Sequence, residues 1–215
     1  MTALNIANLR REYKSRSLDW DNLLKDPIKQ FSVWFEEAHK AGEYEPNAMA
    51  LATADKSGQP SVRMVLLKGL EQEGFTFYTN YASQKGQELV SNPKGSLLFW
   101  WQTIERQVRI NGTVQKVASN ISDEYFDSRP IGSRLGAIAS PQSQPINGRD
   151  VLEKNYEKAA EQLSNEGKIV RPDHWGGFVL IPEIFEFWQG RENRMHDRFK
   201  YTLSSGHWAI DRLAP

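Results

Sequence analysis

The chain has 215 residues, enough for one large domain with a substantial core, and its 27 Lys plus Arg are matched by 27 Asp plus Glu. With a pI near 6.9, no global field draws in nucleic acid or an anionic membrane, so the cations that matter must act locally. The absence of cysteine excludes disulfides, iron–sulfur clusters and thiol catalysis.

Residues 1–20 are polar and basic and read as a mobile arm, and 21–215 read as a single domain. The opening stretch has no apolar signal-peptide core and no later run approaches the length of a membrane span, which predicts a soluble, cytoplasmic protein. Asp26 and Pro27 predict a helix N-cap and first turn; Ile28, Phe31, Phe35 and Ala38 recur at helical spacing until Gly42. From 48 to 117 the pattern changes to short strands rich in β-branched and aromatic residues, with turns at 55–58 and 73–74. One helix interrupts them, capped by Ser83 and ended before Pro93. Further helices are expected near 122–127, 134–139 and 150–164, then strands at 177–181, 184–188, 198–203 and 208–211. Many antiparallel-type strands with helices grouped between them predict an α+β, mainly β, barrel with packed helices.

No dinucleotide-binding glycine turn, P-loop, zincin helix or nucleophile elbow is present, and His39, His174, His196 and His207 are scattered, so no metal site is expected. Difficult chemistry would belong to an organic cofactor. Arg63 and Lys68 stand inside the apolar RMVLLKG, where burial demands an anion unless the cations snorkel or cap strand ends. Five residues apart, they share one site only if the strand bulges or ends near Gly69. Tyr78, Thr79 and the Ser83-Gln84-Lys85 helix start bring hydroxyls, a cation and free N–H groups together, although Ser83 alone is more often just a cap. Lys85 in a first turn opposes the helix dipole unless an anion is bound.

Gln107 and Arg109 share a strand face opposite Val108 and Ile110, as in any half-buried strand. Tyr125, Arg129 and Ser133, four apart around Pro130, describe either a phosphate clamp or a surface tyrosine with a helix-capping arginine. In FWQGRENRMHDRF, an extended run after Gly190 would set Arg194, His196 and Arg198 on one face across ~13 Å; an edge strand with solvated charges is the other reading.

These segments resemble one family, the pyridoxine/pyridoxamine 5′-phosphate oxidases. The resemblance lies in WQG…R-x-HDRF…W-x-I-x-RLAP at the C-terminal end, in RMVLLKG (63–69), FYTNYASQKGQEL (77–89), ERQVRINGTVQ (105–115) and YFDSRPIGSRLGA (125–137), and in LRREY (9–13). It implies an FMN-binding split barrel, an antiparallel Greek-key β-barrel with surrounding helices, forming a homodimer with FMN sites between subunits. The implied reaction is oxidation of pyridoxine or pyridoxamine 5′-phosphate by O2 to pyridoxal 5′-phosphate, with hydrogen peroxide and, from the amine, ammonia released, as a step of vitamin B6 salvage or biosynthesis.

By the same resemblance, Arg63 and Lys85 hold FMN phosphate with Tyr78, Thr79 and Gln84, while Met64, Val65 and Leu66 lie along the flavin. Gln107, Gln142 and Ser143 hydrogen-bond the cofactor, and Lys68, Trp188 and Arg198 complete its site. Pro141 and Pro145 bracket the Gln142-Ser143 loop, a departure from the commonest form of the motif. Substrate phosphate falls to Lys68, Tyr125, Arg129 and Ser133; the pyridine ring falls to Arg194 and His196, the two residues named as catalytic. Arg10, Arg11 and Tyr13 match a segment that folds over substrate. A non-catalytic flavin or pyridoxal-phosphate carrier is the alternative, but it would not need the substrate set, all of which is present. A nucleic-acid-binding barrel would need a basic, aromatic-studded face that the charge balance does not supply.

Overall fold

The computed structural model describes residues 12–13, 16–70 and 74–215; Arg10 and Arg11, with much of the expected arm, lie outside the described residues. The strands are β1 (Ala48–Ala54), β2 (Pro60–Leu66), β3 (Phe75–Asn80), β4 (Lys94–Trp101), β5 (Arg106–Lys116), β6 (Trp175–Gln189), β7 (Asp197–Ser204) and β8 (His207–Leu213). The helices are α1 (Pro27–Lys40), α2 (Gln84–Ser91), α3 (Ser119–Ser128), α4 (Ile131–Ala139) and α5 (Arg149–Glu166). Hydrogen bonding follows the order β2-β1-β4-β5-β6-β7-β8, with β3 also pairing β6. The class is α+β with an antiparallel sheet, as the strand pattern predicted.

The two short strands expected at 177–181 and 184–188 are one, β6. Pro182 interrupts neither ladder, because β3 pairs with 175–180 and β7 with 184–189, so the missing N–H falls between the two registers. No described helix is long and apolar enough to cross a membrane.

The chain divides into two compact units, each gathered from distant segments, which is why composition shows no boundary. One comprises Met1–Met49, Leu97–Ile110 and Glu183–Pro215; the other comprises Ala50–Ser96 and Asn111–Pro182. In the first, the Asp26 side chain accepts from the N–H groups of Ile28 and Lys29 to start α1, whose buried stripe is Phe31, Trp34 and Ala38. Phe31 meets Phe99 edge-on at 4.9 Å and Trp34 meets Phe187 at 5.2 Å. In the second, Phe126, Leu135, Ala159, Ile169 and Trp175 form a compact cluster joining α3, α4 and α5 to the start of β6. Gly86 in α2 has no alternative, since a Cβ there would lie 2.3 Å from the carbonyl oxygen of Tyr81.

Candidate functional site

A cavity of about 600 Å³ opens within the second unit. β2 and the residues after it contribute Arg63, Met64, Val65, Leu66 and Lys68 to its wall, and the end of β3 adds Tyr78 and Thr79. Lys85, Tyr125, Arg129, Ser133, Gln142 and Trp175 also line it. β2 stops at Leu66, the Lys68 N–H donates to the Thr76 carbonyl at 2.8 Å, and Gly69 bridges Thr76. This is the strand end that the spacing of Arg63 and Lys68 required, and both cations reach the same cavity.

Lys85 Nζ donates to Thr79 Oγ1 and Gln142 Oε1, both at 3.2 Å, and to Ser83 Oγ at 3.4 Å. All three are neutral acceptors. Burial holds the Lys85 ammonium below its usual range, the nearby Arg63 adds to this, and Glu88 opposes it. Arg63 is anchored from within: Nη1 donates to the Leu51 carbonyl and Thr53 Oγ1, Nη2 to Ser61 Oγ and to Glu88 Oε2 at 3.2 Å.

Glu88 was not singled out in the sequence. Burial works to raise its pKa, but donors from Ser61, Thr53 and Gln84 and the Arg63 charge outweigh burial and hold it at about 2. Gln84 spends its amide on Glu88 at 2.8 Å and is not part of the cavity wall. Ser143, exposed and with φ 68°, does not line it either, whereas its neighbour Gln142 does.

One wall is aromatic. Tyr78 and Tyr125 stack at 3.8 Å, and the Trp175 ring lies 3° from parallel to Tyr125. The Arg129 guanidinium sits 4.6 Å over the Trp175 ring, and its Nη1 is buried without a hydrogen-bond partner. Burial pushes the Arg129 pKa down, with Tyr125 opposing. A buried guanidinium nitrogen left unpaired, beside a lysine bonded only to neutral oxygens, is donor chemistry that fits phosphate groups.

The remaining expected residues belong to the first unit. Arg194 is not on a strand with His196 and Arg198: it closes a 3-10 turn, Glu192–Arg194, and β7 begins only at Asp197. Asn193 at φ 55° and Arg194 at φ 61° are left-handed and reverse the chain, so the single extended face expected after Gly190 does not form. Arg198 lies opposite Trp188 in the β6–β7 register. Its Nε and Nη2 donate to Glu186 Oε1 at 2.9 and 2.7 Å, and its Nη1 to the Ala214 carbonyl at 2.7 Å. Glu186, only 2% exposed, accepts Arg109 Nη2 on its other oxygen at 2.6 Å. Gln107 and Arg109 share the face opposite the fully buried Val108 and Ile110, as expected.

His196 Nδ1 accepts the Arg191 N–H at 3.1 Å, so the neutral ring carries its proton on Nε2. The ring packs on Trp188 at 4.5 Å and edge-on against Tyr13 at 5.8 Å. Burial and then the charges of Arg194 and Arg198 hold its pKa below 6.5, with Asp197 opposing. Tyr13 also meets Trp188 at 5.7 Å and rests on Gly190, where a Cβ would come within 2.8 Å of it. Asp197, also not singled out in the sequence, accepts the Leu18 N–H at 3.0 Å and Arg212 Nη2 at 2.8 Å.

The family model described as pyridoxamine 5′-phosphate oxidase matches residues 35–163, and that described as the pyridoxine 5′-phosphate oxidase C-terminal dimerisation region matches 175–215. A curated protein of Cyanothece sp. (strain PCC 7425 / ATCC 29141), named pyridoxine/pyridoxamine 5′-phosphate oxidase, is 50% identical over 212 residues, 99% of each chain. One of the same name from Salinibacter ruber is 51% identical over 212 residues, 98% of this chain and 99% of its own. Among solved structures, PhzG from Burkholderia lata 383, in complex with tetrahydrophenazine-1-carboxylic acid, superposes with a TM-score of 0.86 at 29% identity, covering 94% of this chain and 100% of that one. A pyridoxamine 5′-phosphate oxidase-related, FMN-binding protein from Nostoc punctiforme gives 0.70 at 15% identity, over 88% and 98% of the two chains, and shows the split-barrel fold alone.

Proposed function

Because the chain belongs to the pyridoxamine 5′-phosphate oxidase family, we propose that it is the oxidoreductase converting pyridoxine 5′-phosphate and pyridoxamine 5′-phosphate to pyridoxal 5′-phosphate, with FMN as cofactor and O2 as oxidant. The observation that carries this reading is the cavity wall where Arg129 Nη1 is buried without a partner while Lys85 meets only neutral oxygens. Such a wall suits ligands that bring their own negative charge.

FMN would supply a two-electron acceptor for the hydride leaving C4′ of the vitamer, with O2 as the final oxidant and hydrogen peroxide as its product. Ammonia follows from hydrolysis of the oxidised amine. Arg63, Lys85, Tyr78 and Thr79 would take the cofactor phosphate, with Gln84 acting only behind them through Glu88. Met64, Val65 and Leu66 would lie along its ring, and Gln107, Gln142, Ser143, Trp188 and Arg198 would supply further contacts. Tyr125, Arg129 and Ser133, with Lys68, would fix the substrate phosphate. Arg194 would hold the pyridine ring, and neutral His196 would offer it the Nε2–H as a donor. The chain's task is positioning and fixed electrostatics.

The matched dimerisation region supports a homodimer, with FMN sites between subunits as part of this proposal. The arm over 1–20, through Arg10, Arg11 and Tyr13, would close on the substrate, leaving 21–215 as the catalytic domain of a cytoplasmic enzyme. The test is the absorption spectrum of the purified protein, followed by oxygen consumption with each phosphorylated vitamer. Bound flavin and vitamer-dependent uptake are expected. Flavin-loaded protein that consumes no oxygen with either vitamer would overturn the reading and leave a carrier.

A further inference from the structure

Arg129 is the C-cap residue of α3 and precedes Pro130, which keeps its backbone extended, at φ −77° and ψ 149°. The side chain is thereby sent away from the helix axis and onto the face of Trp175. No ion pair joins it to a carboxylate among the described residues, and Nη1 has no hydrogen-bond partner. What compensates this half-buried cation is an aromatic face rather than an anion.

That face is held on every side. The Trp175 N–H donates to the Pro172 carbonyl at 2.9 Å, and its own carbonyl accepts Arg171 Nη1 at 2.6 Å. Phe126 meets the ring edge-on at 5.3 Å, Tyr78 stacks 13° from parallel to it, and the residue is 6% exposed. The indole supports the guanidinium from one side at 4.6 Å and satisfies none of its N–H groups by hydrogen bonding. Nη1 is left without a protein partner.

We propose that Trp175 is a positioning residue for phosphate recognition, holding the Arg129 guanidinium at the cavity wall for the phosphate of the substrate. This rests on the reading of the cavity as the site of a phosphorylated pyridine. Trp175 need not touch the substrate; it acts through Arg129. A lysine at 129 would keep the charge but offer no planar fork to be oriented.

The experiment compares Trp175→Phe, Trp175→Leu, Arg129→Lys and the doubles as flavin-loaded proteins. For pyridoxine 5′-phosphate, KM should rise about threefold in the Phe variant and about tenfold in the Leu variant, the scale of one desolvated cation–π contact, while kcat changes by less than about twofold. Equilibrium dialysis of pyridoxal 5′-phosphate against pyridoxal should show the same graded loss, confined to the phosphorylated ligand. In the Arg129→Lys background, changing Trp175 should add little, because the oriented group is already gone. Multiplicative effects in the double variant, or undiminished phosphate discrimination in Trp175→Leu, overturn the proposal. If the Leu variant does not fold, Trp175→Phe with and without Arg129→Lys supplies the same cycle. Wild-type protein that binds both ligands equally would instead overturn the functional reading, and this inference with it.

Discussion

The carboxylate of Glu88 lies 3.2 Å from Nη2 of Arg63, with side-chain exposures of 8% and 20%. Glu88 stands behind the arginine rather than in the cavity wall, and Thr53, Ser61 and Gln84 satisfy it as well. The pair fixes where one cavity cation can be, and it ties stability to pH.

Glu88 titrates at about 2 in the folded protein against an ordinary 4.5, so its stabilisation is fully present above pH 4.5 and is lost as pH falls from there towards 2. The shift corresponds to about 3 kcal/mol. Glu88→Gln should therefore be less stable at neutral pH and show a shallower loss of stability between about pH 5 and 2. Denaturant melts at several pH values check this; an unchanged pH slope would show that Glu88 does not couple folding to protonation.

Lys85→Ala should weaken FMN binding about tenfold, by loss of a charge-assisted contact, and leave the KM of the remaining holoenzyme near wild type. Arg129→Ala should do the reverse, raising KM for phosphorylated substrate about 10- to 100-fold with flavin occupancy intact. Flavin fluorescence read beside oxygen uptake separates the two. Release of FMN by Arg129→Ala, with normal kinetics in the holo fraction, would show that the cavity is not divided in this way.

His196 should be neutral, with its proton on Nε2, from its depressed pKa upward. Because that pKa lies below 6.5, the unfolded chain takes up the proton first, so stability should fall as pH drops below 6.5 and the loss should level off once the folded ring is itself protonated. Nitrogen NMR of labelled histidine reads the tautomer directly. A proton on Nδ1 at pH 7 would mean that the Arg191 N–H contact is not kept in solution.

Arg194→Ala and His196→Ala should differ in their kinetics, since a left-handed turn separates Arg194 from the strand that follows His196. Arg194→Ala is expected to lower kcat and raise KM, while His196→Ala should chiefly lower kcat, through loss of one donor. Identical profiles for the two would argue that they act as one unit despite the backbone.

Much of this was legible in the sequence, for local reasons. Lys85 stood out because a first-turn cation conflicts with the helix dipole, and Arg63 with Lys68 because an apolar strand must end to let both serve one site. The error at Arg194 came from two left-handed residues, Asn193 and Arg194, neither of them glycine, in a run that otherwise alternates like a strand. Glu88, Trp175, Glu186 and Asp197 were not legible. Each acquires its role from partners far along the chain, as Glu88 does from Thr53 35 residues away and Asp197 from Leu18 179 residues away.

The interleaving of the two units has a consequence for biosynthesis. Trp34 packs on Phe187, so a helix made early must wait for a strand made late. On the ribosome, the segments of the second unit, Ala50–Ser96 and Asn111–Pro182, have all been translated before Glu183–Pro215 arrives, and that unit can close while Trp34 on α1 still lacks Phe187. Nascent chains that have emerged only as far as residue 182 would present Trp34 to chaperones.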